Sequence, residues 1–324
     1  MRNYAIRRAL INIPVIWFVI TLVFLATNAL PGDFVAETIA ASNPIGAEDP
    51  EAQERFREQV REELGLHRPV HERYAVYMAD LARGEFGTSF QTRRPTIDMF
   101  RDGLAPTAQL GIMTFIVLVM VSIPIGVISA IRQDTIIDYV LRVIAITALA
   151  APNFWVATIV LLYVVQWGLW DVQLTRSPLL WEDPWASFKL FIIPAVVGGF
   201  AAGAQVMRLL RSQMLEVLRQ DYIRTAWSKG MRERTIIMRH ALKNAFIPVL
   251  TIFGLTLATL IAGNVVFEYI FNINGIGNRM ITAIRARDVP VLQTFILIIA
   301  TFVVFVNLAV DLLYGALDPR IRFS

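Results

Sequence analysis

The sequence predicts an all-α, polytopic membrane protein with six transmembrane helices. Its 324 residues are 56% hydrophobic and only 17% charged, whereas soluble domains carry about 25% charged residues. The apolar residues fall into blocks of about twenty, the length at which a helix crosses a bilayer core. The chain has no cysteine, which excludes disulfides, a thiol nucleophile and cysteine-ligated metals. No zinc spacing or basic patch interleaved with aromatic residues stands outside the apolar blocks, so we expect no nucleic-acid partner.

Six apolar blocks predict the individual spans. They cover about 9–30, 105–131, 139–167, 189–210, 246–268 and 291–315. The first is longer than the core of a cleaved signal peptide, which favours an uncleaved first helix. The block at 139–167 is long and contains Pro152, which favours one tilted or kinked helix over two spans.

Charge orients the predicted spans. Between the fourth and fifth blocks nine basic residues stand against three acidic ones: Arg208, Arg211, Arg219, Arg224, Lys229, Arg232, Arg234, Arg239 and Lys243 against Glu216, Asp221 and Glu233. Short basic loops face the cytoplasm. Six spans place this connection, Arg132, the basic N-terminus and the basic C-terminal tail on one side, whereas seven spans do not. We therefore expect both termini in the cytoplasm and the acidic segment 31–104 outside.

The chain accordingly divides into a helix at 1–30, an extracytoplasmic segment at 31–104, a five-helix core at 105–315 and a tail at 316–324. The segment 31–104 has helical spacing at Glu51–Leu64 and Pro69–Leu81, with Gly65 as a helix-ending residue between them. This pattern fits a small folded cap or a solvated loop.

The basic connection, residues 211–245, is patterned as two short helices. Leu218, Tyr222 and Ala226 recur at helical spacing, with Ile223 and Trp227 beside them, and Gly230 is expected to end this helix. The second stretch places these residues on one side: Ile237, Met238, Ala241, Leu242 and Ala245. Pro248 is expected in the first turn of the fifth span. The pattern fits equally a helix pair on the anionic inner leaflet and a rigid element for a cytoplasmic partner.

Residues 221–250, DYIRTAWSKGMRERTIIMRHALKNAFIPVL, resemble the coupling loop of bacterial ABC-importer permeases. The match consists of Arg224-Thr225-Ala226, Gly230 and Phe246-Ile247-Pro248. It lacks the leading glutamate and one alanine, as is typical of peptide-importer permeases. RRALINIPVIWFVITLVFLATNALPGD at 7–33, LGLHRPV at 64–70, GEFGTSF at 84–90 and NLAVDLLYGALDPRIR at 307–322 are likewise similar to the B-type subunit of the dipeptide/oligopeptide (peptide/nickel) family.

This resemblance implies the type I ABC-importer permease (MetI-like) fold in a bacterial cytoplasmic membrane. It implies a homologous second permease, two ATPase subunits that bind ATP and Mg, and an external solute-binding protein. It implies no catalytic residue or cofactor in this chain. The expected ATPase contacts are Arg224, Thr225, Ala226, Lys229 and Gly230. The implied substrates are di- or oligopeptides, with nickel complexes, oligosaccharides or opine-like compounds as alternatives.

A phosphate-binding loop would require a lysine directly after a glycine. Lys189, Lys229 and Lys243 do not follow one, so we expect the motor in another polypeptide. The rival class is an ion-coupled secondary transporter, which usually carries carboxylates near the bilayer midplane. Glu268 and Asp311 instead stand near the ends of their blocks. A passive channel would leave the patterned connection unexplained.

Weaker signals concern the pathway and packing. Asn264, Glu268, Asn272 and Asn274 are expected at the outer mouth, and Arg285, Arg287 and Asp288 form either a solvated or an internally paired turn. Gly275 and Gly277 lack the rest of a dinucleotide fingerprint. Small residues at Gly199 and Gly203, and at Gly254, Ala258 and Ala262, favour close helix packing over a pathway lining. His67 and His71 have zinc-like spacing, but Pro69 between them opposes a regular helix, so we expect no metal site. His240 is expected to be structural.

Overall fold

The computed structural model describes residues 2–28, 58, 62, 67–169, 177–262 and 264–317. The predicted helix Glu51–Leu64, apart from positions 58 and 62, and Gly65 lie outside the described residues, as does most of the tail. The described elements are α1 (Arg2–Asn28), α2 (Val70–Arg83), α3 (Thr96–Ile131), α4 (Ile136–Ala150), α5 (Asn153–Gln166), α6 (Pro184–Leu218), α7 (Asp221–Ser228), α8 (Leu242–Ala262), α9 (Val265–Ile270), α10 (Ile276–Arg285) and α11 (Val289–Leu317). A turn at Glu233–Thr235 and a π-helix at Ile236–Ala241 precede α8.

Five of the described helical stretches are long and apolar enough to cross a membrane, and a sixth span results if α4 and α5 count as one broken helix. The predicted all-α fold is confirmed, and the predicted kink lies where the sequence places it. Ala151 is extended (φ −77°, ψ 130°), and Pro152 is the N-cap residue directly before α5. Proline lacks an amide hydrogen and disfavours a helical residue before it, so the chain turns by 100° here.

The helices begin before the predicted apolar blocks because hydropathy does not register polar first turns. The fifth block was predicted to run to 268, but α8 ends at Ala262 and α9 follows as a separate helix. Asp183 caps α6 by accepting hydrogen bonds from the amides of Trp185 and Ala186, and Pro184 occupies the first helical position. At its other end α6 continues to Leu218, past position 211 where the basic connection was predicted to begin.

The chain forms two compact units, residues 1–104 with 275–324 and residues 105–274. In the first unit the ring of Phe24 on α1 packs against Tyr74 and Tyr77 on α2. The carboxylate of Asp288 accepts hydrogen bonds from the Ser89 hydroxyl, at 2.5 Å, and from the Phe90 amide. Of the two alternatives for this turn, internal pairing is therefore the one that holds for Asp288.

The second unit contains the glycine stripe of α6. A Cβ atom at Gly199 would lie 2.7 Å from the carbonyl oxygen of Thr114 and 2.7 Å from Cβ of Val117, both on α3. Gly203 lies over the backbone of Leu118 on the same helix. The interpretation of this stripe as helix packing is confirmed, and the neighbour is α3 of the same chain.

Candidate functional site: the basic connection

The basic connection contains α7, whose first turn includes Asp221. A negative charge at this end interacts favourably with the helix dipole and stabilises the helix. Ile223 and Ala226 face inward and are buried. Tyr222 and Trp227 are 45% and 48% exposed. The predicted apolar stretch is therefore confirmed at Ile223 and Ala226 and wrong at Tyr222 and Trp227, which are exposed. It is also wrong at Leu218, which ends α6 and does not belong to α7.

Gly230 ends α7 as predicted. Its φ is +71°, a left-handed conformation that costs other residues free energy. The Gly230 amide donates to the carbonyl of Trp227 and the Met231 amide donates to the carbonyl of Ala226. These two bonds make a Schellman cap, which satisfies carbonyl groups at the helix end and fixes the direction of the chain beyond it.

The second predicted short helix is not separate. The π-helix Ile236–Ala241 runs without interruption into α8, and Pro248 consequently lies inside α8, beyond its first turn. A π-helical turn contains an extra residue and rotates the buried face. Ile236 is therefore buried, whereas Met238 is 54% exposed; placing Met238 on the packed side was wrong.

The connection packs on a shared hydrophobic cluster. Its buried members come from α3, α6, α7, the π-helix and α8: Leu118, Val127, Ala130, Val206, Leu210, Met214, Ile223, Ala226, Ile236, Ile237, Ala241, Ala245, Val249 and Phe253. The Tyr222 hydroxyl also accepts a hydrogen bond from the Asn244 side chain. Because α7 shares a core with three long helices, it cannot move independently of them without opening that core.

The expected ATPase contacts divide into two sets by exposure. Arg224, Thr225 and Lys229 are exposed, and the Arg224 side chain lies 3.5 Å from the Asp221 carboxylate. Ala226 is 7% exposed and belongs to the core. Gly230 is exposed, and a Cβ atom there would meet no atom within 4 Å. The connection thus offers basic and aromatic groups on one side of a fixed helix.

The residues expected at the outer mouth lie together in the stretch 264–274. Asn264 caps α9 by accepting from the Phe267 amide, and the Asn274 amide donates to the Ser177 hydroxyl at 2.9 Å. Asn272 is exposed with φ +50°. Glu268 is fully buried and accepts a hydrogen bond from the Thr107 hydroxyl at 2.7 Å. Their contribution to a pathway stays a prediction.

The described residues contain no group of three or more His, Asp or Glu side chains that could hold a metal ion. His67 and His71 are both exposed. His240 is half-buried, and its carbonyl accepts from the Asn244 side chain. Asp311 lies in α11, where the structure does not describe its side chain.

Residues 122–323 match the family described as binding-protein-dependent transport system inner membrane component. The chain belongs to this family. It is 36% identical over 342 residues to the dipeptide transport system permease protein of Alkalihalophilus pseudofirmus, with both chains fully covered. It is 35% identical to the dipeptide transport system permease protein of Escherichia coli K12, covering 99% of each chain. It is 34% identical to the E. coli K12 glutathione transport system permease protein, again over both full lengths. The chain is therefore a multi-pass inner-membrane permease with the type I ABC-importer permease (MetI-like) fold.

Two features of the site were missed by sequence reasoning. Tyr222 and Trp227 were assigned to a packed stripe, although an exposed aromatic pair flanking Ile223 is what the structure shows. Arg211 was counted as a loop charge, whereas its guanidinium pairs with Asp138 on α4. No local pattern signals that pair, because the two residues are 73 positions apart.

Proposed function

We propose that this chain is one of two permease subunits of an ATP-driven peptide importer and that α7 is its contact with the ATPase. The observation that carries the proposal is a short helix, capped at Gly230 and packed on the core, that displays Arg224, Thr225 and Lys229. A helix held in this way transmits force from a partner to the spans on which it packs. Ile223 and Ala226 hold α7 on the hydrophobic cluster, and we do not expect them to contact the ATPase.

The burial pattern of α7 supports a protein partner over the lipid leaflet, the two alternatives that the sequence left open. A helix lying on a membrane surface inserts an apolar face among the lipids. The apolar face of α7, Ile223 and Ala226, is already packed inward. The exposed side instead combines Tyr222, Trp227 and Arg224, and these three residue types are enriched at the energetic centres of protein interfaces. The exposed surface therefore suits a protein partner better than the lipid leaflet.

The proposal has further parts, which are supported by membership of the family and, for the orientation, by the basic loops predicted to face the cytoplasm. ATP and Mg bind in two partner ATPase subunits, and this chain is not itself an enzyme and holds no cofactor. A homologous second permease completes the pathway, and a solute-binding protein delivers the substrate from outside. Both termini are cytoplasmic. Transport proceeds by alternating access.

The substrate proposal is di- or oligopeptides, and it is supported by the relatives named for dipeptide and glutathione transport. Nickel complexes and oligosaccharides are the alternatives within the same machinery. The ligand that co-purifies with the cognate binding protein, identified by mass spectrometry, distinguishes them. A peptide supports the proposal, and a nickel chelate or a sugar contradicts it.

The chain contains no cysteine, so single cysteines can be introduced without a background. Lys229→Cys, carrying a photoactivatable cross-linker, is expected to capture the ATPase subunit in membranes that contain the whole complex. Asn274→Cys is the matched control, because Asn274 is also exposed but belongs to the predicted outer mouth. It should react with a membrane-impermeant thiol reagent from outside, whereas Lys229→Cys should not.

Capture of lipid alone at Lys229→Cys would contradict the ATPase contact. Labelling of Lys229→Cys from outside would contradict the orientation.

A further inference from the structure

A buried ion pair joins α4 to α6. Asp138, in the first turn of α4, has no exposed surface. The guanidinium of Arg211 on α6 donates to both carboxylate oxygens, Nε to Oδ1 at 2.9 Å and Nη2 to Oδ2 at 2.7 Å. The Ser129 hydroxyl on α3 and the Asp134 amide complete the donor set, at 2.5 and 3.1 Å. Every oxygen of the buried carboxylate therefore has two donors.

Few residues of α4 are buried within this chain. The buried residues of α4 are Asp138 and Ala145, whereas much of its apolar surface is exposed. Apolar packing is non-directional, but a bidentate arginine–carboxylate pair fixes both distance and orientation. Asp138 and Arg211 thus set the position of the first half of α4 relative to α6. A buried ion pair often adds no net stability over an apolar pair of similar volume, so we expect this pair to act here through the placement of α4.

The pair stands between the basic connection and the broken span. From Arg211, α6 continues for about two turns to Leu218 and leads into α7. From Asp138, α4 runs to the break at Ala151 and Pro152. A cavity of about 450 Å³ lies beside this break, and its walls come from α4 (Val143 and Thr147), α5 (Asn153 and Val156) and α6 (Val197 and Phe200). Broken backbone at membrane depth is tolerated where it is buried in protein or lines a water-filled cavity.

We propose that Asp138 and Arg211 are positioning residues that carry a displacement of the basic connection to the broken span α4–α5. This inference rests on the proposed function, because it requires α7 to be moved by an ATPase. The pair makes the end of α6 and the start of α4 move as one body. The break at Pro152 is then the point at which the displacement changes the shape of the cavity.

The test uses the complete importer in proteoliposomes, with ATP hydrolysis and uptake measured on the same sample. Arg211→Lys keeps the charge but loses the bidentate geometry, and Asp138→Asn keeps the shape but loses the charge. Both variants are expected to assemble and hydrolyse ATP, while substrate taken up per ATP falls about tenfold, within the usual range of coupling between sites. Arg208→Lys is the matched control, because Arg208 lies on the same helix and is exposed; its uptake per ATP should equal that of the native chain.

A second variant, Asp138→Leu with Arg211→Met, replaces the pair by apolar groups of similar size, which cores often tolerate. It is expected to assemble and to hydrolyse ATP without matching uptake. Native uptake per ATP in any assembled pair variant would overturn the proposal, and so would failure of all of them to assemble, since that would make the pair purely structural. Absence of ATP-dependent uptake by the native complex would instead contradict the proposed function, and this inference with it.

Discussion

Replacing Gly230 tests whether the fixed turn after α7 is required for coupling. Its φ of +71° lies in the left-handed region, where an ordinary residue costs about 1–2 kcal/mol. Restricting the unfolded chain by Gly→Ala offsets about 0.4–1 kcal/mol. Since a Cβ atom there meets nothing within 4 Å, no clash adds to the strain. Gly230→Ala should therefore destabilise the turn by about 1 kcal/mol, which lowers the population of the native turn about fivefold relative to its alternatives.

The chain contains a matched control for this strain. Gly84 caps α2 with φ +81°, and a Cβ atom there would also meet no atom within 4 Å, so Gly84→Ala should cost a similar free energy. We expect both variants to insert and to lose similar thermal stability in detergent. Only Gly230→Ala should lose substrate-stimulated ATP hydrolysis and uptake.

A series of substitutions at position 230, graded by how well each residue adopts the left-handed conformation, tests the same point. Asparagine tolerates the left-handed region and a β-branched residue does not, so uptake should fall in the order Gly, Asn, Ala, Val at position 230. Gly230→Val should still be expressed and inserted while transport is lost. Native transport by Gly230→Val, or equal losses in Gly230→Ala and Gly84→Ala, would refute the reasoning.

Three further predictions concern packing and hydrogen bonding. Gly199→Ala should destabilise the protein in detergent by about 1–3 kcal/mol through overpacking against α3, whereas Gly203→Ala, whose Cβ would find its nearest neighbour at 3.5 Å, should be tolerated. Asp288→Asn should destabilise the protein by up to about 1.5–3 kcal/mol, the contribution of one hydrogen bond to a charged group, because the amide keeps only one acceptor oxygen. Faster proteolysis near Ser89 would report this loss. Burial raises the pKa of Tyr77 from 10.0 to about 12. Between these two pH values the folded state retains a proton that the unfolded state releases, so the free energy of unfolding should decline as the pH rises from 10 to about 12. Tyr77→Phe should remove that decline in thermal melts, and an unchanged alkaline slope would contradict the assignment.

The apolar blocks, together with the proline and glycine residues that interrupt or end helices, made most of the fold predictable. A twenty-residue apolar run has few alternatives in a membrane protein, and Pro152 and Gly230 act through their own backbone chemistry, so both were placed correctly. Which face of α7 is buried was harder to predict, because Tyr222 and Ile223 are adjacent and both are apolar enough to be packed. Only the position of the neighbouring helices decides that Ile223 turns inward.

The remaining differences arise from long-range structure. The π-helix at Ile236–Ala241 has no distinctive composition, and it rotates Met238 to the exposed side. The end of α6 at Leu218 is set by packing of its last turns on the shared core rather than by hydropathy. The pairing of Asp138 with Arg211 depends on how α4 and α6 come together, which neither residue's local sequence reveals.

The central claim is that transport through this chain is driven by ATP hydrolysis in a partner and delivered through α7. The most direct measurement is uptake of a binding-protein-delivered peptide by proteoliposomes that hold the full complex, with ATP and the membrane potential varied independently. Uptake is expected to stop when ATP is removed with the potential preserved, and to continue when the potential is collapsed with ATP present. Uptake that follows the potential and ignores ATP would contradict it.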